Sequence, residues 1–228
     1  MSAENASATP DALLNPIEAR IVGCLMEKQR TTPEQYPLTL NSLVSACNQK
    51  SARHPVMNLT PGEVGHAVNR LRDRGLIHAS LSGRSERFDH KLVGTFFLSR
   101  QEQALLCALM LRGPQTLGEL RTNTARLADF ADLDQVSTIL RGMATRDHAL
   151  VLELPRSPGK REERYAHLLC GQPRTEDLAD VEPRTGASAG VAAQDSRIEA
   201  LESEVASLRA ELDRLWELTG LADQRGDA

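Results

Sequence analysis

The residues of this chain whose types and spacing can do recognisable chemistry are His66, Asn69, Arg70 and Arg72, followed by Arg84 and Arg87. An Asn amide can pair with both edge atoms of adenine and an Arg fork with those of guanine, and Arg also clamps phosphate. On a helix, steps of three and four place His66, Asn69, Arg70 and Asp73 on one side, with Arg72 on the flank. That donor set suits a nucleic-acid groove, apart from Asp73, a carboxylate that phosphate would repel.

Such a face needs a helix whose other side is buried. Thr60-Pro61-Gly62-Glu63 supplies its start, with Thr at the N-cap, Pro at N1 and Glu at N3. Val64, Ala67, Val68 and Leu71 supply the apolar side, and Gly75 stands where the helix should stop. Leu76 to Leu81, the turn Ser82-Gly83-Arg84-Ser85 and the run Arg87 to Leu98 read as a strand, a turn and a returning strand. Helix followed by hairpin is the core of a winged helix, in which the helix enters the major groove and the hairpin meets phosphate or minor groove.

Enzymatic chemistry finds no support. The chain has no glycine-rich phosphate loop, HExxH or paired cysteines. His78 and His90 fall on the two strands of one hairpin, but two histidines without a third ligand make a poor metal site, and both are expected to face solvent. Cys24, Cys47, Cys107 and Cys170 are far apart in sequence and read as free thiols, mostly buried. No catalytic residue, metal or cofactor is expected.

Upstream, Asn15-Pro16-Ile17-Glu18 opens a first helix with Ile17, Ile21, Val22, Cys24 and Leu25 as its apolar face. A second begins near Thr39, with Leu40, Leu43, Val44 and Cys47 inward. The order then starts again. Ser99-Arg100-Gln101-Glu102 is a capping box, and Glu18, Ile21, Val22, Leu25 and Met26 match Glu102, Leu105, Leu106, Leu109 and Met110. Thr39 to Leu43 matches Thr116 to Leu120, and Glu63, Val64, Val68, Leu71 and Arg74 match Gln135, Val136, Leu140, Met143 and Arg146. Ser137, Thr138, Arg141 and Thr145 occupy the second copy's outer face, with Lys160, Arg161 and Arg164 on its hairpin. This copy is less basic and reads as a packing or partner surface.

Residues 1–170 carry 21 basic and 18 acidic side chains, a balance of +3, and residues 171–228 a balance of −7. A body of that charge permits a nucleic-acid surface without requiring one. No apolar run approaches the roughly 18–20 residues of a membrane span, and the first residues lack a leader pattern, so a cytoplasmic protein is expected. In the acidic tail, Ile198, Val205 and Leu212 at a positions with Leu201, Leu208 and Leu215 at d positions form three heptads, about 30 Å of helix. This composition favours a parallel two-stranded coil and hence a homodimer.

Glu27-Lys28, Thr31-Thr32-Pro33, Tyr36-Pro37-Leu38-Thr39-Leu40-Asn41, Ala46-Cys47-Asn48-Gln49-Lys50, Leu111 to Thr116 and Gly118 to Arg121 together resemble the bacterial YceH family. The resemblance spans about Leu14 to Leu169 and implies a tandem winged-helix body. It carries no catalytic residues with it. Thr31-Thr32-Pro33 and Tyr36-Pro37 read as turn-fixing residues, and Asn48 as a helix end. A groove lined by Asn41, Asn48, Gln49 and Arg53 is a further candidate for binding peptide or nucleic acid.

The expected architecture is mostly α with small β-hairpins (α+β). It comprises a disordered lead-in (1–14), winged-helix units at 15–98 and 99–170, a flexible linker (171–195) and a coiled-coil helix (196–219). The expected function is DNA binding of a transcription-regulator kind through residues 60–98, and the alternative is a tandem winged-helix scaffold for a protein partner.

Overall fold

The structure is a computed structural model that describes residues 13–82, 85–156 and 162–173. Arg84, Lys160, Arg161, the lead-in before residue 13, the linker from 174 onward and the heptad segment lie outside the described residues. The fold is a mixture of helices and small antiparallel sheets. It begins with α1 (Pro16–Thr31), a 3₁₀ turn (Pro33–Gln35), β1 (Leu38–Thr39), α2 (Leu40–Cys47) and α3 (Pro61–Asp73). β2 (Ile77–Ser82), β3 (Ser85–His90) and α4 (Leu92–Phe96) follow. The second half is α5 (Arg100–Arg112), α6 (Leu117–Thr124), α7 (Leu133–Ala144), β4 (Val151–Leu154) and β5 (Arg164–His167). No helix among the described residues is long and apolar enough to cross a membrane.

Side-chain caps set most helix starts. Asn15, Thr60, Ser99 and Thr116 each accept from the N3 backbone amide while the N3 glutamate returns the bond, and Thr39 and Asp132 cap α2 and α7 from one side. The expected strand Arg87 to Leu98 is corrected: β3 ends at His90, and Leu92–Phe96 forms a short helix closed by Phe97 at φ 50. The alternation of inward and outward residues fails after Leu92: Gly94, which a continued strand would turn to the same side as His90 and Leu92, is exposed.

Two contacts recur at positions that the sequence matches between the halves. Arg74 Nη1 reaches Glu18 at 3.2 Å in the first half, and Arg146 Nη2 reaches Glu102 at 2.5 Å in the second. Arg87 Nη1 donates to the Pro37 carbonyl at 2.8 Å, and Arg164 Nη1 to the Pro114 carbonyl at 2.9 Å. β1 pairs with β3 at Leu38↔Phe88, and the second half keeps a single bridge at Gln115↔Tyr165. The first sheet has strand order β1-β3-β2 and the second is β4-β5.

All the described residues lie within one compact unit and share one apolar core. α1 and α5, the leading helices of the two halves, cross at its centre. Glu18 to Met26 and Gln103 to Leu111 are buried on every side, because each helix packs on its own half and on its counterpart. Gly23 makes the close approach possible, since a Cβ there would lie 2.9 Å from Leu111 Cδ2, and Cys107 Sγ sits 3.3 Å from the Gly23 carbonyl oxygen. Two backbone bonds reinforce the seam. Leu14 N–H donates to the Leu169 carbonyl at 2.7 Å, and His54 N–H to the Leu111 carbonyl at 2.8 Å.

Candidate nucleic-acid interface

α3 has the two sides its sequence demands. Val64, Ala67, Val68 and Leu71 are at most 1% exposed, while His66, Asn69, Arg70, Arg72 and Asp73 all face outward. Gly75 ends the helix at φ 70, a conformation that L side chains rarely adopt. β2 and β3 then pair from Ile77↔His90 to Ser82↔Ser85. The hairpin lies beside the helix, and Arg72 Nη1 meets Glu86 Oε1 at 3.5 Å across the junction.

The candidate arginines are drawn into contacts of different kinds. Arg70 Nε lies 3.3 Å from Glu18, whose carboxylate is almost wholly buried and also takes Arg74 and the Asn15 amide. The Arg72–Glu86 pair is 44% and 48% exposed, and a solvated pair of that kind is worth about 0–1 kcal/mol. Arg87 is half-buried and held by the Pro37 carbonyl, so it fixes β3 against the turn that leads into β1. The structure therefore gathers His66, Asn69, Arg70 and Arg72 on one surface and places Arg87 behind it. In the second half, α7 presents Thr138, Arg141 and Thr145 outward with Ser137 half-buried, and Arg164 is turned to Pro114 and Glu119.

The histidines of the hairpin do not meet. His78 stands opposite Asp89 and is exposed, whereas His90 stands opposite Ile77 and is 5% exposed, which corrects the expectation that both face solvent. Adjacent ladder positions point to opposite faces of a sheet. His90 Nε2 lies 3.1 Å from Gln29 Oε1, and Gln103 donates to the same oxygen. A proton on Nε2 makes that contact and leaves Nδ1 without a partner among the described residues. Burial pushes His90 down to about 4, and does the same to His167, the matching residue of β5, whose Nδ1 is also unpartnered.

The Asn41, Asn48, Gln49 and Arg53 groove resolves into scaffolding. All five donors of Arg53 are used: on the Ala46 and Ala52 carbonyls, both oxygens of Glu27 and the Gln49 amide oxygen, at 2.6–3.1 Å. Burial alone would raise the Glu27 carboxyl and weaken the Arg53 cation. The bidentate bond between them outweighs it, so Glu27 is lowered and Arg53 raised. Asn48 ties Leu59 through both its amide oxygen and its amide nitrogen. Asn41 alone of the four is exposed. Sequence reading missed Arg20, 1% exposed, which donates to the Cys47 and Pro55 carbonyls at 3.0 and 2.6 Å. Its only signal was a charge on the face of α1 that also carries Cys24, one turn on.

Comparison with known proteins assigns a family. Residues 14–160 match the family described as "Protein of unknown function, DUF480". The chain is 50% identical over 199 residues to a UPF0502 protein of Geobacter sulfurreducens, covering 87% of this chain and 91% of that one. It is 47% identical over 212 residues to a UPF0502 protein of Vibrio atlanticus, covering 90% and 96%. A UPF0502 protein of Burkholderia multivorans is 46% identical over 227 residues, covering 96% of both chains. With matches of this extent on a shared body, the chain belongs to the DUF480/UPF0502 family.

Proposed function

We propose that each half is a winged helix, at 15–98 and 99–170, and that the first binds double-stranded DNA through the outer face of α3 and the β2–β3 hairpin. One observation carries the reading. His66, Asn69, Arg70 and Arg72 are all exposed on one capped helix next to a hairpin, and no described element covers them. The Arg72–Glu86 pair is solvated enough to exchange for phosphate at little cost. Asn69 and His66 contact base edges, Arg70 and Arg72 contact phosphate or guanine, and Arg84 meets the backbone from the turn. The protein acts as a transcription-regulator-like DNA binder without catalysis, located in the cytoplasm. Three heptads at 198–215 join two copies, so that two α3 faces meet two half-sites.

A titration of the full chain against random duplex DNA at rising salt tests the reading. Phosphate contacts predict log affinity falling linearly with log salt, with the slope about one unit shallower in Arg72→Ala. Absence of binding at low ionic strength overturns it. For the dimer, Leu201→Asp with Leu208→Asp is expected to give a monomer in sedimentation, and an unchanged dimer would rule the heptads out.

A second reading, a scaffold for a protein partner, is favoured by charge and by one side chain. Residues 61–90 carry five basic and four acidic side chains, and Leu81, on the hairpin of the same face, is 84% exposed. Under this reading Leu81→Ala weakens partner capture, and the salt titration on DNA shows no specific slope.

A further inference from the structure

α3 presents two arginines outward, and they are held in different ways. Arg72 Nη1 meets Glu86 Oε1 at 3.5 Å, so one prong of its fork is engaged by an exposed carboxylate. Arg70 meets Glu18 at Nε, 3.3 Å from Oε1, and its two Nη groups make no hydrogen bond among the described residues. Glu18 belongs to α1, and its side chain is 4% exposed against 46% for that of Arg70. The other Glu18 oxygen takes the Asn15 amide at 3.0 Å and Arg74 Nη1 at 3.2 Å. A buried carboxylate fixed by three partners is a rigid mount. Arg70 is anchored on it through Nε, with both amino groups of the fork left open.

The fold does not require this anchor. In the second half Glu102 takes the place of Glu18 and Arg146 that of Arg74, and that pair serves the leading helix without a second arginine among the described residues. The position matching Arg70 is Gly142, where an added Cβ would meet nothing within 4 Å. Arg70 is therefore an addition of the first half, seated on a carboxylate whose structural duty Arg74 already meets. Asp73 narrows what Arg70 can take. It lies one turn further along the same exposed face and repels phosphate, so the neutral edge of a base suits the fork better than the DNA backbone does. Among base edges in the major groove, guanine sets two acceptors, O6 and N7, against the parallel donors of an Arg fork.

We propose, resting on the DNA reading above, that Arg70 is the guanine-reading residue of α3 and that Glu18 of α1 is the positioning residue that holds its fork. The DNA selected then carries a G·C pair beneath Arg70. A guanidinium already anchored in the free protein loses less rotamer freedom on binding, and a misplaced partner base leaves its donors unpaired. Arg72, whose carboxylate partner is solvated and exchangeable, remains the phosphate contact.

The test is a ratio of affinities. Duplexes that the full chain selects from a random pool are sequenced, and affinity for the selected site is divided by affinity for the same site with its guanine changed to adenine. The expected ratio is roughly 5- to 150-fold, the discrimination of one bidentate pair. Arg70→Lys keeps the charge without the fork and should bring the ratio to about one. Glu18→Gln keeps an oxygen for the Asn15 amide but not the charge that anchors Arg70, and should lower the ratio several-fold. A purely structural Glu18 would weaken both duplexes together and leave the ratio unchanged. Selection without a guanine position, a ratio that survives Arg70→Lys, or one that Glu18→Gln leaves untouched overturns the proposal while DNA binding stands. Failure to bind any duplex at low salt overturns the DNA reading itself, and the guanine contact with it. If Glu18→Gln fails to fold, the wild-type and Arg70→Lys ratios still decide whether the fork reads guanine.

Discussion

The two halves of the molecule share a plan and differ in what surrounds it. Each has a capped leading helix whose N3 glutamate is gripped by an arginine just past the third helix, Glu18 by Arg74 and Glu102 by Arg146. Each has an arginine on its returning strand fastened to a proline carbonyl and a histidine three residues later, His90 buried and His167 half-buried. These are the bonds a three-helix-and-hairpin unit needs. The first half adds the segment between α2 and α3, clasped by Arg53 and Asn48 and reaching α5 through His54. It also adds longer paired strands in its hairpin, six residues against four, and an α3 with two arginines where α7 has one. The comparison teaches that the shared polar residues build the unit, and those peculiar to the first half fasten the unit to its neighbour or face outward.

The largest effect expected from breaking this distinction is at Arg53. Arg53→Met removes five hydrogen bonds and leaves the Glu27 carboxylate largely buried without its main partner, a change that costs about 3–5 kcal/mol. The segment between α6 and α7 in the second half is held instead by single bonds from Arg100, Gln101 and Arg121 to its carbonyls, with no ion pair in it among the described residues. Arg126→Met, at an exposed position there, is expected to stay within about 0.5 kcal/mol of wild type. Denaturant melts of both variants check the pair, and equal losses would show that the clasp does not distinguish the halves.

Acid tests what the halves have in common. His90 and His167 are held at about 4 by burial, against an ordinary value of 6.5. Above about pH 6.5 both are neutral folded or unfolded. As pH falls from there towards about 4, the unfolded chain binds protons that the folded chain refuses, so stability is lost through that window, by up to about 3 kcal/mol for each histidine. Asp89 offsets part of this at His90, while Arg30 and Lys91 add to it. His90→Gln and His167→Gln, followed by melts between pH 7 and pH 4.5, should each remove about half of the loss. A slope unchanged in both variants would assign it to the carboxylates.

How much of this was legible in sequence follows from which residues announce themselves locally. Caps, apolar spacing and the match of Glu18 to Arg74 with Glu102 to Arg146 lie in short-range pattern, so most helix starts and the matched positions could be read directly, but not the end of β3 at His90 or the short α4. α1 and α5 were read as having one apolar face each, yet both are buried all round, because the seam between the halves depends on contacts 84 residues apart such as Cys107 with Gly23. Arg53 and Asn48 also fit a candidate binding groove, because polar strings look alike whether they bind a ligand or tie their own backbone. Arg20 was missed for the same reason: its partner carbonyl at Cys47 is 27 residues away and no spacing rule joins them.

The seam can be sharpened with two glycines in helices. Gly142→Ala, in α7 with open space around its Cβ, should stabilise by about 1 kcal/mol from helix propensity alone. Gly23→Ala gains the same propensity but pushes a Cβ to 2.9 Å from Leu111 Cδ2, and overpacking of that kind costs about 1–3 kcal/mol. Because the crowded atom is the end of a flexible side chain, part of the strain relaxes. Thermal melts should therefore place the two variants on opposite sides of wild type, and two equal gains would mean that α1 and α5 have room to separate.

The smallest effects on stability, and the most telling for function, lie on the outer faces of α3 and α7. Arg72→Ala and Arg141→Ala each remove an exposed guanidinium and should shift stability by no more than about 0.5 kcal/mol. Their effects on duplex DNA should nonetheless differ. Arg72 stands beside Asn69, His66 and the hairpin turn, so its loss should weaken binding across sequences, whereas Arg141 stands among Thr138 and Thr145 without a comparable basic hairpin described beside it. If both arginines weaken binding equally, the two halves share the contact surface. If neither does, the outer face of α3 is better matched to a protein, and Leu81 becomes the residue to change first.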